Sequence, residues 1–224
     1  MEEIKIKEIE DILGYKFKDE NLLKTAFTHS SFANIHNLQS NERLEFLGDS
    51  VLNFCTTKYL YQNFDFSEGD SSKIRAFVVS SENVSDYIKQ NKLIDFLSCH
   101  NFNPNNSTNV MGDLYESIVG AMLLDSNFET CEKFIHKSLK FSKQLFDAIH
   151  LQTRDYKTEL QEYVQGQENM KLEYVLLEKT GPAHLPEFTI AVEIDGKRYA
   201  TATAKSKKEA ENMVAQKALE IINK

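Results

Sequence analysis

Two short runs of the chain carry acids at spacings that could do chemistry. The first is Asn41-Glu42-Arg43-Leu44-Glu45-Phe46-Leu47-Gly48-Asp49-Ser50-Val51-Leu52. On a helix, Glu42, Glu45 and Asp49 lie at i, i+3 and i+7 and share one face. Leu44, Leu47, Val51 and Leu52 fall on other faces and can pack inward. The second run, Met111-Gly112-Asp113-Leu114-Tyr115-Glu116-Ser117-Ile118-Val119-Gly120-Ala121, sets Asp113 and Glu116 at i, i+3 among apolar and small residues. Acids stacked on one helix face repel each other by roughly a few tenths of a kcal/mol per pair. A hard divalent cation reverses the sign of that interaction. Two readings follow: a solvated acidic face, or an oxygen-only site suited to Mg²⁺ or Mn²⁺ rather than zinc. The chemistry of the second is phosphoryl transfer, in which such ions activate a water and stabilise charge on the leaving oxygen. Gly48 in mid-helix costs about 1 kcal/mol relative to alanine. A close approach by another backbone, or by a ligand, would explain it.

The elements that position these runs are helical. Residues 1–153 contain five glycines and one proline, Pro104, and helix-period apolar spacing runs through most of them. Ile4, Ile6, Ile9 and Ile12 open an amphipathic helix that stops near Gly14. Asp19 can cap a second helix carrying Leu22, Leu23 and Phe27. The pattern predicts helices over about 41–63, over about 71–98 with a break near Ser80-Ser81, and over about 109–126 and 128–148. The Asn-rich segment 98–109 reads as a loop, and a short linker is expected near 149–154.

The pattern changes after Arg154. A helix is expected over about 156–165, ending near Gly166. Leu172, Tyr174 and Leu176 alternate as in a strand, and so do Phe188, Ile190, Val192 and Ile194. Thr180 to His184 reads as a turn. Asp195-Gly196 is a hairpin signal leading to Tyr199, Thr201 and Thr203. A last helix covers about 206–222. The architecture is an all-α domain followed by a small α+β domain of order αβββα.

Net charge is −8, from 26 basic and 34 acidic residues. Residues 1–153 carry 15 basic and 22 acidic side chains, and residues 154–224 carry 11 and 12. Neither part has the basic excess usual for nucleic-acid binding, so any such site must be a local patch. Lys205-Ser206-Lys207-Lys208 is one: three lysines at a helix start, with Ser206 as N-cap, add charge where free N–H groups and the helix dipole already favour phosphate. A solvated, lysine-rich helix start is the alternative for this run alone. Cys55, Cys99 and Cys131 are odd in number and widely spaced, which argues against a disulfide framework or structural zinc and for a reduced, cytoplasmic compartment. No apolar run is long enough for a transmembrane helix, the charged start does not read as a signal peptide, and no membrane partner is expected.

Asn41 to Leu52 resembles the signature segment of the ribonuclease III family. Leu13-Gly14-Tyr15, Thr28-His29-Ser30-Ser31, Ser72-Lys73-Ile74-Arg75-Ala76 and Asp113 to Asp125 fall where that family places similar residues. The αβββα part, with Gly181-Pro182-Ala183-His184 in its first strand connection, resembles a double-stranded RNA-binding domain. The resemblance implies a helical endonuclease and dimerisation domain over 1–150 and an RNA-binding domain over 154–224. It implies Glu45, Asp113 and Glu116 as metal ligands, Mg²⁺ as cofactor with Mn²⁺ able to substitute, and Asp49 and Glu116 as catalytic acids, with Glu42 in a smaller role near the cleavage valley. It implies a homodimer with Phe46 packing across the interface, and His29 as structural. The products would carry 5′-phosphates, 3′-hydroxyls and two-nucleotide 3′ overhangs, and the substrates would include ribosomal RNA precursors and structured transcripts. Thr158, Gln161 and Gln165 would face one minor groove, Pro182 to His184 the next, and Lys205, Lys207 and Lys208 the phosphates between them. Ala202 and Ala204, where the family often has glycine, and Gly112, where it often has alanine, are departures.

Overall fold

A computed structural model describes residues 5–167, 170–182 and 184–222. Ile4 and Ala183, named above, lie outside the described residues. The chain divides into two compact units, Met1–Thr153 and Arg154–Lys224. The described helices of the first unit are α1 (Ile6–Leu13), α2 (Glu20–Ala26), α3 (Ser30–His36), α4 (Glu42–Asn63), α5 (Glu68–Val78), α6 (Ser81–Gln90), α7 (Thr108–Asp125), α8 (Phe128–Ser138) and α9 (Lys143–Thr153), with short 3₁₀ turns at Leu93–Phe96 and Pro104–Asn106. No helix among the described residues is long and apolar enough to cross a membrane.

The core is organised around α7. Met111, Leu114, Tyr115, Ile118, Val119, Ala121 and Met122 are all buried. A helix with apolar residues around most of its circumference belongs in the middle of a bundle, and α2, α4, α6 and α8 pack around it. Against α4 the approach is backbone to backbone. A Cβ at Gly48 would stand 1.8 Å from the Glu116 carbonyl oxygen, and a Cβ at Gly120 would stand 2.1 Å from the Leu44 carbonyl oxygen. This accounts for glycine in the middle of both helices. Gly112 is a milder case, where an added Cβ would meet Ser81 at 3.1 Å.

The C-terminal end of α7 is fastened to the start of the chain. Buried Asp125 accepts from the Tyr15 hydroxyl at 2.6 Å and from the backbone N–H of Lys18 at 3.0 Å and Asp19 at 2.8 Å. Burial alone would raise its pKa; these bonds and the Lys18 charge outweigh that and hold it below the usual carboxylate value. Cys55 and Cys131 are fully buried free thiols, pushed up to about 12 and about 11 chiefly by burial, and Cys99 is also free.

Several sequence expectations need correction. The helix over 128–148 is two helices. The chain turns at Lys140, whose φ of 53° is left-handed, and directs Leu139 and Phe141 into a second small core with Leu60, Ile74, Val78 and Phe146. The expected linker is helical as far as Thr153. The short α3 was not anticipated. Seven residues give little periodicity, and the helix is held from its cap, where His29 Nδ1 accepts from the Ser31 N–H at 3.1 Å. The break near Ser80 is present, but α5 starts earlier, at Glu68, and α6 ends at Gln90.

In the second unit, α10 (Tyr156–Gln165) is followed by strands β1 (Leu172–Thr180), β2 (Glu187–Ile194) and β3 (Lys197–Ala204) and by α11 (Lys207–Ile222). The sheet is antiparallel in the order β1-β2-β3. Asp195 and Gly196 both have positive φ, as a two-residue hairpin of this twist requires. Ile190, Val192, Ile194 and Ala202 face Leu160 and Val164 of α10 and Ala210, Val214, Ala215, Ala218 and Leu219 of α11. Ala202 is buried and Ala204 packs at the edge of this core, so both methyl groups are used where α11 crosses β3.

Gly48→Ala should therefore force α4 and α7 apart and destabilise the first unit by about 3 kcal/mol, as overpacked cores do. A denaturant midpoint equal to that of wild type would refute the close contact.

Candidate functional site

The interlocked glycines bring acids from two helices to one place. Glu45 follows Leu44 on α4, and Asp113 and Glu116 stand on successive turns of α7. One carboxylate oxygen from each of the three lies within 4.8 Å of the others, and this is the one such group of metal-binding side chains among the described residues. All three are half-buried. An oxygen-only donor set at that separation fits a hard divalent cation.

The electrostatics of the cluster are those of a site arranged for positive charge. Burial, then the charges of Asp49, Asp113 and Glu45, push the Glu116 carboxyl up to about 8. Glu45 is raised by burial and then by Asp113, Glu42 and Asp49. Asp113 is raised by burial, with the charge of His29 and its own backbone amide pulling the other way. Nothing about helix stability calls for three partly desolvated acids side by side.

Asp49 and Glu42 stand outside the trio and act on it as charges. Both are exposed. Asp49 Oδ1 accepts from Asn53 Nδ2 at 2.7 Å, which orients the carboxylate. Sequence reasoning missed Asn53; the signal was its i+4 spacing from Asp49. Glu42 accepts from the Ser40 hydroxyl at 2.7 Å. His29 caps α3 and its ring packs against Phe102, with centroids 4.9 Å apart. Phe46 is 78% exposed, and Phe54 and Tyr61 are exposed on the same side of α4.

In the second unit, Thr158, Gln161 and Gln165 are exposed on one face of α10. The Asp155 side chain caps that helix at the Thr158 N–H. Pro182 and His184 are exposed in a turn closed by the Leu185 N–H on the Pro182 carbonyl at 2.9 Å. Gly181 opens it at a φ of +82°, where a Cβ would lie 2.4 Å from the Leu185 carbonyl oxygen. Ser206 caps α11, accepting from the Glu209 N–H at 3.2 Å, and Lys205, Lys207 and Lys208 are exposed around that cap.

Similarity to known proteins places the chain among endonucleases, with a helical nuclease domain ahead of a double-stranded RNA-binding domain. Residues 19–142 match the family model described as ribonuclease-III-like, and residues 156–222 match the double-stranded RNA binding motif. Ribonuclease 3 of Oceanobacillus iheyensis is 37% identical, covering 97% of this chain and 98% of its own. Ribonuclease 3 of Campylobacter jejuni subsp. jejuni serotype O:6 is 40% identical over 96% of each chain. Among solved structures, the nuclease domain of Campylobacter jejuni ribonuclease III, described as flexible in a region involved in dimer formation, is similar with a TM-score of 0.56. It is 36% identical and covers 60% of this chain and 96% of its own. The chain belongs to the ribonuclease III family.

The raised Glu116 value has a stability consequence. An acid whose folded pKa exceeds its unfolded one favours folding when protonated, so this contribution is complete below about 4.5 and is lost as pH rises towards about 8. In chelator, the melting temperature should fall across that range, and Glu116→Gln should flatten the fall. An equally steep curve for Glu116→Gln would show that this carboxyl does not carry the burial penalty.

Proposed function

We propose that Glu45, Asp113 and Glu116 hold a divalent cation, Mg²⁺ in the working enzyme with Mn²⁺ able to substitute, and that this centre hydrolyses phosphodiester bonds in RNA duplexes. The observation that carries the reading is the convergence of three half-buried carboxylates within 4.8 Å. When bound, the cation lowers the pKa of the attacking water and stabilises charge on the leaving oxygen. Asp49, oriented by Asn53, stands beside the trio where an acid can accept a proton from that water. Glu116, the most strongly raised of the acids, would ionise more readily beside a cation, which couples its charge to cation binding. Glu42 adds negative charge at the rim.

Two copies act together in this reading, each cutting one strand. The support is Phe46, an aromatic ring 78% exposed on the helix that carries Glu45, with Phe54 and Tyr61 also exposed further along that helix. Staggered cuts would leave 5′-phosphates, 3′-hydroxyls and two-nucleotide 3′ overhangs. The RNA contacts are Thr158, Gln161 and Gln165 in one minor groove, Pro182 and His184 in the next, and Lys205, Lys207 and Lys208 on the intervening phosphates, a shape-reading mode that needs no base sequence. In domain terms, residues 1–150 cut and dimerise, and residues 154–224 bind. The natural substrates on this reading are ribosomal RNA precursors and structured transcripts in the cytoplasm, a compartment in keeping with three free cysteines.

The central test is a gel assay on an RNA duplex of roughly 30–40 base pairs, long enough for the span of one binding domain and more. Wild type with Mg²⁺ should cut the duplex and spare a single-strand control, and Glu116→Gln should lower the rate by at least about a thousandfold, the loss of about 4 kcal/mol of transition-state stabilisation. Binding without scission by the wild-type chain would replace the enzyme centre with a scaffold role. Ca²⁺ should permit binding with poor cutting, because catalysis needs tighter and more nearly octahedral coordination; brisk cleavage in Ca²⁺ alone would contradict this. Replacing Lys207 and Lys208 with alanine should weaken binding to all duplexes alike and reduce the slope of log affinity against log salt by about 2. An unchanged slope would remove these lysines from the phosphate contacts.

A further inference from the structure

Besides the Asp155 cap, the start of α10 is held by a side chain of α11. Asn212 Nδ2 donates to the Arg154 carbonyl at 3.1 Å, and Asn212 Oδ1 accepts from the Lys157 N–H at 3.1 Å. One planar carboxamide thereby holds two backbone groups three residues apart, and one of them is an N–H that a helix start leaves without an internal partner. Next to it, Glu211 pairs with Lys157 Nζ at 2.6 Å, and that ammonium lies 5.1 Å from the centre of the Tyr174 ring.

This clasp matters because of what the two helices carry. α10 has only 10 residues, and a helix turns about 100° per residue. A small rotation at its start therefore swings the face bearing Thr158, Gln161 and Gln165. α11 opens with Lys207 and Lys208, little more than a turn before Asn212. The helix that presents the lysines also sets the rotation of the helix that presents the polar face.

We propose that Asn212 is a positioning residue for duplex recognition, holding the α10 face in register with the lysines that open α11. The inference rests on the RNA contacts proposed above. It separates two quantities that a general loss of structure would move together. Phosphate contacts set the salt dependence. Minor-groove contacts to 2′-hydroxyls set the preference for RNA over DNA. Asn212 governs the second and leaves the first alone. The apolar contacts of Leu160 and Val164 with Val214, Ala215 and Ala218 do not involve its side chain, so the domain retains its core without it.

The test is binding by the full chain in chelator, where cleavage is suppressed, to an RNA duplex and to a DNA duplex of the same sequence over a series of salt concentrations. Asn212→Ala should bind RNA about tenfold more weakly, the effect of losing one or two hydrogen bonds from a displaced α10 face to the 2′-hydroxyls, with a smaller loss for DNA and an unchanged salt slope. Asn212→Ser removes the carboxamide without adding charge and supplies the same readouts if Asn212→Ala does not fold. A folded variant with the wild-type RNA-to-DNA ratio overturns the inference, and so does an affinity loss accompanied by a shallower salt slope. A Thr158→Ala, Gln161→Ala, Gln165→Ala triple variant runs alongside. If the triple variant keeps full RNA preference, the contact reading itself fails and the role of Asn212 fails with it. If the triple variant loses the preference and Asn212→Ala does not, the inference about Asn212 fails alone.

Discussion

Everything in the nuclease domain depends on how closely α4 and α7 approach. Gly48 lies against the Glu116 carbonyl and Gly120 against the Leu44 carbonyl, at separations that leave no room for a methyl group. Side chains normally hold helices about 8–10 Å apart; here backbone sets the spacing. That is why three carboxylates on two different helices can share a space under 5 Å wide. The contact is also rigid, since backbone atoms have no rotamers with which to adjust.

The acids in turn explain features that look unfavourable by themselves. Burying Glu45, Asp113 and Glu116 together raises the pKa of each, mainly by desolvation. A fold does not keep such a cluster for its own stability. The stabilising interactions lie elsewhere: in the apolar surroundings of α7, and in the Asp125 clamp, where a buried carboxylate is fully hydrogen-bonded and its pKa moves down instead of up. Two acidic groups on the same helix thus sit at opposite extremes, Asp125 lowered by its hydrogen bonds and Glu116 raised by burial and by its acidic neighbours.

Much of this was legible in the amino-acid order because the relevant signals are local. The i, i+3, i+7 spacing of acids, a glycine inside each of two apolar helices, the Asp195-Gly196 turn and the Ser206 cap each occupy a few adjacent residues. The features that were missed depend on distant partners. The turn at Lys140 exists because Phe141 and Phe146 join aromatic residues from α4 and its exit. The short helix after His29 is too brief to show a period. The role of Asp125 requires Tyr15 and Lys18, more than a hundred positions away. Ala202 and Ala204 read as departures from a family pattern until the crossing of β3 by α11 showed both methyl groups packed.

The uneven charge along the chain has an operational consequence. Residues 1–153 carry seven more acids than bases, while residues 154–224 are nearly balanced, with three of their nine lysines at the start of α11. If the lysines hold phosphate and the acid trio holds a cation, as proposed above, residence time on RNA and scission of RNA are governed by different ions. On that reading, monovalent salt competes at the lysines and shortens the stay of the protein on a duplex. On the same reading, divalent ions compensate the acids and decide whether a strand is cut during that stay. A cell that alters one ion pool without the other would change how long the enzyme dwells without changing what it does there, or the reverse.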